Sequence, residues 1–127
     1  MKTLVIGAAI IDIIMKIKRL PKSGEDILCS ETVSTVGGCA YNVAGTLRGF
    51  GVDHDLFVPV GRGMYGDMIA GDLEKLGYQI LIREEESDNG YCLCLVEEDG
   101  ERTFITVKGA EGRFRPSWFE QLSQDAY

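Results

Sequence analysis

Asp12 is the only acid in a run of isoleucines, Ile10, Ile11, Ile13 and Ile14, that follows an apolar stretch at residues 4–6 and the small residues Gly7-Ala8-Ala9. A carboxylate in such surroundings is costly unless it is hydrogen-bonded. Acting only as an acceptor, it can take two hydroxyl donors at once, which suits a polyol. It also falls where open α/β sheets bind ligands, just outside the carboxyl end of a strand. The alternative is a solvent-facing acid on an alternating strand. A second group is Gly37-Gly38-Cys39-Ala40-Tyr41-Asn42, directly before a helical pattern. Paired glycines let backbone approach a ligand closely, and a helix start offers free N–H donors. The Asn42 amide can both donate to and accept from a sugar hydroxyl. Here the alternative is a tight strand-to-helix turn with Asn42 as its cap.

Other chemistries fail on their residues. Cys29, Cys39, Cys92 and Cys94, with the single histidine His54, match no zinc spacing, and Cys92-x-Cys94 is too tight for a C-x-x-C pair. No metal site is expected, and reduced thiols in the cytoplasm are. Gly7-Ala8-Ala9-Ile10-Ile11-Asp12 lacks the later glycines of a dinucleotide fingerprint, and no G-x-x-x-x-G-K-[ST] phosphate loop is present. A formal net charge of −7 excludes a basic nucleic-acid face and argues against an anionic membrane surface. The apolar start is interrupted by Asp12 and Lys16, so it is a strand and neither a membrane span nor a signal peptide.

The elements that must position these groups follow from periodicity. Residues 4–6, 56–60 and 79–82 are short apolar runs of buried-strand type. Between them, residues 43–50 place Val43, Leu47 and Phe50 on one helical face, and residues 67–76 repeat Met68, Ile69, Leu73 and Leu76. This alternation predicts an α/β fold with a parallel sheet covered by helices. Four strand-like runs, at approximately 10–17, 27–36, 90–97 and 102–108, break the rhythm; Asp99-Gly100 supplies a hairpin turn to the last two. They are expected to form one small β-sheet lid inserted in the domain. Pro116-Ser117-Trp118-Phe119-Glu120-Gln121-Leu122 is expected to begin a further helix. With 45% hydrophobic residues a core is feasible, but three core strands leave an open sheet edge. The sheet of residues 1–127 is therefore expected to be unfinished.

Taken together, Gly7-x-x-x-x-Asp12, Pro21-x-x-Gly24-Glu25, Gly37-Gly38-x-x-x-Asn42-x-Ala44, Gly51, Gly61 and Gly66 resemble the first signature region of the PfkB carbohydrate kinases, the ribokinase family. Asp99-Gly100-Glu101-Arg102-Thr103-Phe104 is similar to that family's lid hairpin. The correspondence runs over nearly the whole chain in one order. It implies that residues 1–127 are the amino-terminal part of a ribokinase-like fold, incomplete here, and it implies ATP-dependent phosphorylation of a sugar or sugar-like alcohol, with ATP and Mg2+ as cofactors. It implies that Asp12 and Asn42 bind substrate hydroxyls beside Gly37, Gly38 and Cys39, with Cys92 and Cys94 of the lid covering the sugar or nucleoside. Some members of the family dimerise through their lids, so a homodimer through the lid strands is an expectation.

The chain departs from the family's pattern at three points. Cys39 stands where ribokinase-like members often carry lysine, and Gly63 where the family has the aspartate of G-x-D-x-x-G. No segment matches the G-A-G-D motif that holds the family's catalytic base, so no catalytic residue is expected in this chain. The function expected is the substrate-binding and lid half of a kinase. The alternatives are a non-catalytic sugar-binding or regulatory module and a structural fragment that pairs with itself.

Overall fold

The computed structural model describes residues 1–127. Its elements in order are β1 (Thr3–Ile6), β2 (Ile10–Lys16), β3 (Glu31–Gly37), α1 (Cys39–Gly49), β4 (His54–Phe57), β5 (Pro59–Val60), α2 (Met64–Lys75), β6 (Ile82–Arg83), β7 (Tyr91–Val96) and β8 (Arg102–Val107). Short 3₁₀ turns follow at Ala110–Gly112, Pro116–Gln121 and Gln124–Ala126.

The core layer is parallel. β1 pairs with β4, and β5 pairs with β6, Val5 lying opposite Leu56 and Val60 opposite Arg83. The run at residues 56–60 is therefore two strands, parted at Val58. Pro59 has no N–H to continue a ladder, and the chain passes there from the β1 side to the β6 side. Only Ile82 of the expected strand at 79–82 is paired, because Tyr78 just before it is held elsewhere. Its hydroxyl lies 2.7 Å from His54 Nε2 and 3.3 Å from the Ala44 carbonyl.

Both helices pack on this layer, each beginning earlier than its periodicity indicated. α1 turns inward Ala40 and Ala44, not Val43 and Phe50, which are 50% and 82% exposed. Small residues win that face because α1 lies close against β1 and β4, where a longer side chain would hold the backbones apart. α2 buries Gly66, Ile69, Ala70 and Leu73 and leaves Met68 largely exposed. Ala40, Ala44, Ile69, Ala70 and Leu73 form the main hydrophobic cluster with Val5, Ala9, Ile11, Leu56, Val58 and Val60. Each such aliphatic side chain contributes roughly 1.5–3 kcal/mol on burial.

The second layer is one four-stranded sheet in the order β3-β2-β7-β8. β2 pairs antiparallel with β3 and parallel with β7, and β7 pairs antiparallel with β8. Two boundaries differ from expectation. Residues 27–30 lie outside β3, since β2 ends at Lys16 and gives those residues no ladder partner. The segment from Pro116 is a 3₁₀ turn, not the start of an α-helix; Arg115 ties it down instead, with an ion pair to buried Glu84 at 2.7 Å.

α2 has an unusual cap. Its N-cap residue is Gly63, at φ 142°, with no side-chain cap of its own. The carboxylate comes from Asp88, just ahead of β7, which accepts from Gly66 N at 2.6 Å and Tyr65 N at 3.2 Å. A Cβ at Gly63 would press on the Asp88 carboxylate, 2.5 Å from its Cγ. Position 63, where the resemblance leads one to expect aspartate, is thus emptied for an acid supplied from elsewhere in the chain. Asp88→Ala should lower unfolding free energy by about 1–2 kcal/mol, and adding Gly63→Asp should lower it further, because φ 142° strains any side chain and a Cβ there would lie 2.9 Å from the Cβ that alanine keeps at position 88. Urea denaturation checks both; a neutral Asp88→Ala would place the cap elsewhere.

Candidate functional site

Asp12 sits in the third position of β2, opposite Thr35 of β3 and Cys92 of β7, and Cys92 in turn faces Thr106 of β8. Residues directly opposite in a ladder share a face. One row across the lid is therefore Thr35, Asp12, Cys92 and Thr106, and the next same-face row outward is Val33, Ile14, Cys94 and Phe104. The other face, through Ile11 and Tyr91, joins the core, where the Tyr91 and Tyr65 rings lie 4.9 Å apart.

The space beside Asp12 is set by glycine. Gly37 pairs with Ile10, and a side chain there would collide with the Asp12 carboxylate. Gly38 packs on the preceding β1–β2 turn; at φ 102° its absent Cβ would stand 2.5 Å from the Ala8 carbonyl oxygen. Only glycine fits that conformation and that contact without strain. The two glycines thus lay bare backbone between the acid and the start of α1.

Asp12 hydrogen-bonds no group of the chain, and partial burial alone raises its carboxyl above the ordinary aspartate value. A desolvated carboxylate without a partner is an acceptor left open for donors from outside. Asn42 lies in the first turn of α1 and is exposed. It is not the cap of that helix, because Gly38 is the N-cap and no side chain caps it. Its main chain is committed, the N–H donating to Gly38 O at 3.0 Å and the carbonyl accepting from Thr46 Oγ1 at 3.2 Å. Its side-chain amide remains free to meet a ligand.

The four thiols are free. Cys92 and Cys94 are 7% and 6% exposed, and Thr106 Oγ1 donates to Cys92 Sγ at 3.5 Å. Cys39, first residue of α1, is exposed. The structure therefore brings Asp12, Gly37 and Cys92 into contact or register, carries Cys94 on the same lid face, and presents Gly38, Cys39 and Asn42 from the adjoining turn. The largest concavity, about 520 Å3, is not here; it lies between Lys18, Arg19 and Ile27-Leu28-Cys29-Ser30, at the far end of β2. No group of three His, Cys, Asp or Glu side chains is placed to hold a metal ion.

Sequence reasoning passed over the residues that hold the site together. Asn89 is 3% exposed. Its amide nitrogen donates to Ala9 O at 3.2 Å and Pro59 O at 3.0 Å, and its Oδ1 accepts from Gly61 N at 2.6 Å. Glu111, buried as well, accepts from Gly90 N at 2.8 Å and Gly109 N at 2.9 Å. The only signal was a polar residue beside glycine at each end of the β7–β8 hairpin, Asn89-Gly90 and Gly109-Ala110-Glu111.

Comparison with known proteins bears on this geometry. The family model described as pfkB family carbohydrate kinase matches residues 1–127. The uncharacterized sugar kinase YegV of Escherichia coli is 41% identical over 120 residues, which cover 94% of this chain and 37% of that protein. Ribokinase of Arabidopsis thaliana is 29% identical over 125 residues, 95% of this chain and 32% of that one. Among solved structures, ribokinase from Giardia lamblia superposes with a TM-score of 0.85 at 27% identity, covering 95% of this chain and 40% of that one. Arabidopsis thaliana ribokinase complexed with ribose and ATP gives 0.77 at 27% identity, covering 98% and 40%. The chain spans about two fifths or less of the relatives it matches. A parallel core, a four-stranded lid and a family match over every residue lead to one conclusion: the chain belongs to the pfkB family of carbohydrate kinases and has the amino-terminal part of a ribokinase-like fold.

Proposed function

We propose that this chain is the substrate-holding part of a kinase that phosphorylates a sugar or sugar-like alcohol, a nucleoside included, at the expense of ATP. The observation that carries this reading is the Asp12 carboxylate, unpartnered, partly desolvated and bordered by the glycine backbone of Gly37 and Gly38. Asp12 accepts from two substrate hydroxyls, the Asn42 amide donates to or accepts from a third, and the lid face carrying Cys92 and Cys94 closes over the ring. Cys39 borders the same space. The Arabidopsis ribokinase complexed with ribose and ATP supports a small polyol as the ligand. ATP and Mg2+ follow from family membership, with most of the groups that bind them outside this chain.

The catalytic step falls outside this chain for the same reason. Phosphoryl transfer requires a positioned base and stabilisation of the charge on the transferring group, and no residue here matches the family's base segment. A second copy is the proposed protein partner, meeting the lid on the face opposite Asp12, where Ile105 and Val107 are exposed. A cytoplasmic setting is proposed from kinship with the pfkB kinases; no helix is long and apolar enough to cross a membrane.

Asp12→Ala in the intact kinase should weaken sugar binding at least tenfold, because a hydrogen bond to a charged group is worth roughly 1.5–3 kcal/mol. An affinity within about twofold of wild type, by calorimetry, would remove Asp12 from the site. The purified 127-residue chain, given ATP, Mg2+ and a panel of sugars, should show no turnover above blank; metal-dependent turnover would refute the division of labour.

The same carboxylate makes a prediction about pH. A carboxyl raised in the folded state contributes most to stability below its ordinary value, about 3.9, and loses that contribution as pH rises through the raised value. Asp12→Asn should therefore melt above wild type at pH 7, and the two should converge in acid. Melting curves that stay parallel across that range would show that Asp12 is not desolvated.

A further inference from the structure

Four stretches of backbone cross between the core and the lid. They are the β1–β2 turn at Ala8-Ala9, the β3–α1 turn at Gly37-Gly38, the approach to β7 at Asp88-Asn89-Gly90, and the exit from β8 at Lys108-Gly109-Ala110-Glu111. Asn89 bonds the first crossing through Ala9 O, and it also bonds the core through Pro59 O and Gly61 N. Glu111 bonds the third crossing to the fourth, one oxygen on Gly90 N and the other on Gly109 N. Ala110 N adds a bond to Asp88 O at 2.9 Å. The second crossing has no side-chain bond, but Gly38 packs on Ala8 and Ala9 and so follows the first.

Glycines allow these strands to meet. A Cβ on Gly61, Gly90 or Gly109 would collide with backbone of another crossing. All three provide N–H groups that Asn89 or Glu111 accepts from. The polar atoms and the missing side chains occupy one small volume, three residues along β2 from Asp12.

We propose that Asn89 and Glu111 are positioning residues: together they form the hinge of the lid and fix where the Asp12 carboxylate stands relative to Gly37 and Gly38. Asp12 has no bond of its own to hold it. Its place is set by the path of β2, and that path begins at the Ala9 carbonyl clamped by Asn89. Glu111 acts one step further off, by keeping β7, the parallel partner of β2, level with it. Asp88 extends the hinge into the core, since its carboxylate also caps α2.

The test needs no substrate, so it is independent of the proposed chemistry; if Asp12 proves not to bind sugar, the affinity measurement above shows it and the present one is unaffected. Asn89→Ala and Glu111→Gln would be compared with wild type by NMR, following amide exchange and the side-chain carboxyl titration of Asp12. Exchange should quicken on the order of tenfold at Gly61 in Asn89→Ala, and at Gly90 and Gly109 in Glu111→Gln. The amides of Val5 and Gly7, in the core ladder, should keep their wild-type rates. In both variants Asp12 should titrate at lower pH than in wild type, as the lid loosens and water reaches it. Glu111→Gln is the decisive arm, because Glu111 touches neither Asp12 nor the Ala9 crossing, and it stands alone if Asn89→Ala does not fold. An Asp12 titration unmoved in Glu111→Gln would overturn the hinge, as would exchange that quickens equally at Val5 and Gly7, which marks a merely structural role.

Discussion

One buried amide group organises this structure. A primary amide has two donors and an acceptor with two lone pairs, and leaving any of them unpaired in a protein interior costs free energy. Asn89 resolves that demand with three bonds to two stretches of chain remote in sequence, one at Pro59 and Gly61 and the other 80 residues away at Ala9. Because the amide cannot be satisfied unless both are in place, it specifies their arrangement more sharply than apolar contact would. Hydrophobic packing brings β1, β4 and the two helices together, but aliphatic side chains tolerate sliding. The polar bonds at the root of the lid do not.

The lid inherits its character from that root. Its central strands, β2 and β7, run parallel, an arrangement usually reserved for sheets covered on both faces. Here one face joins the core near Ile11 and Tyr91, and the other carries Asp12 among Ile14, Cys92 and Cys94. Both faces are apolar near the root. The isoleucine run of β2 therefore serves the core with alternate residues and the candidate site with the rest. A single acid on the site face stands out electrostatically because its neighbours along and across the strands carry no charge.

Much of this was legible in the residues. The parallel core and the four lid strands follow from runs of apolar residues, and the glycine pair with its asparagine announced a turn into a helix. What escaped has physical reasons. The faces of α1 were misjudged because hydrophobic periodicity favours large side chains, whereas close backbone approach selects Ala40 and Ala44. The break at Val58 depends on which neighbour each half of the strand finds, and that is a tertiary fact. The third core strand shrank because Tyr78 found hydrogen-bond partners in His54 and Ala44. Asn89 and Glu111 look like ordinary polar turn residues until the crossings they join are seen together. The site was half legible: Asp12 and Gly37 are adjacent for reasons of strand register, while the support beneath them is a matter of the fold.

The parallel ladder between β2 and β7 has a consequence for the order in which the molecule takes shape. β1, α1, β4 and α2 can associate once the first seventy-five residues have been made, through contacts of modest sequence separation. β2 emerges early from the ribosome, yet its central partner is β7, so it must wait with apolar side chains on both faces. Contacts so far apart along the chain carry a large loop-closure cost and are slow to form. Within residues 1–127 the lid is therefore the slowest unit to assemble and the one most exposed to wrong pairing on the way. Lys16, Lys18 and Arg19 at its free end give that waiting strand a charged margin, which discourages alternative edge partners.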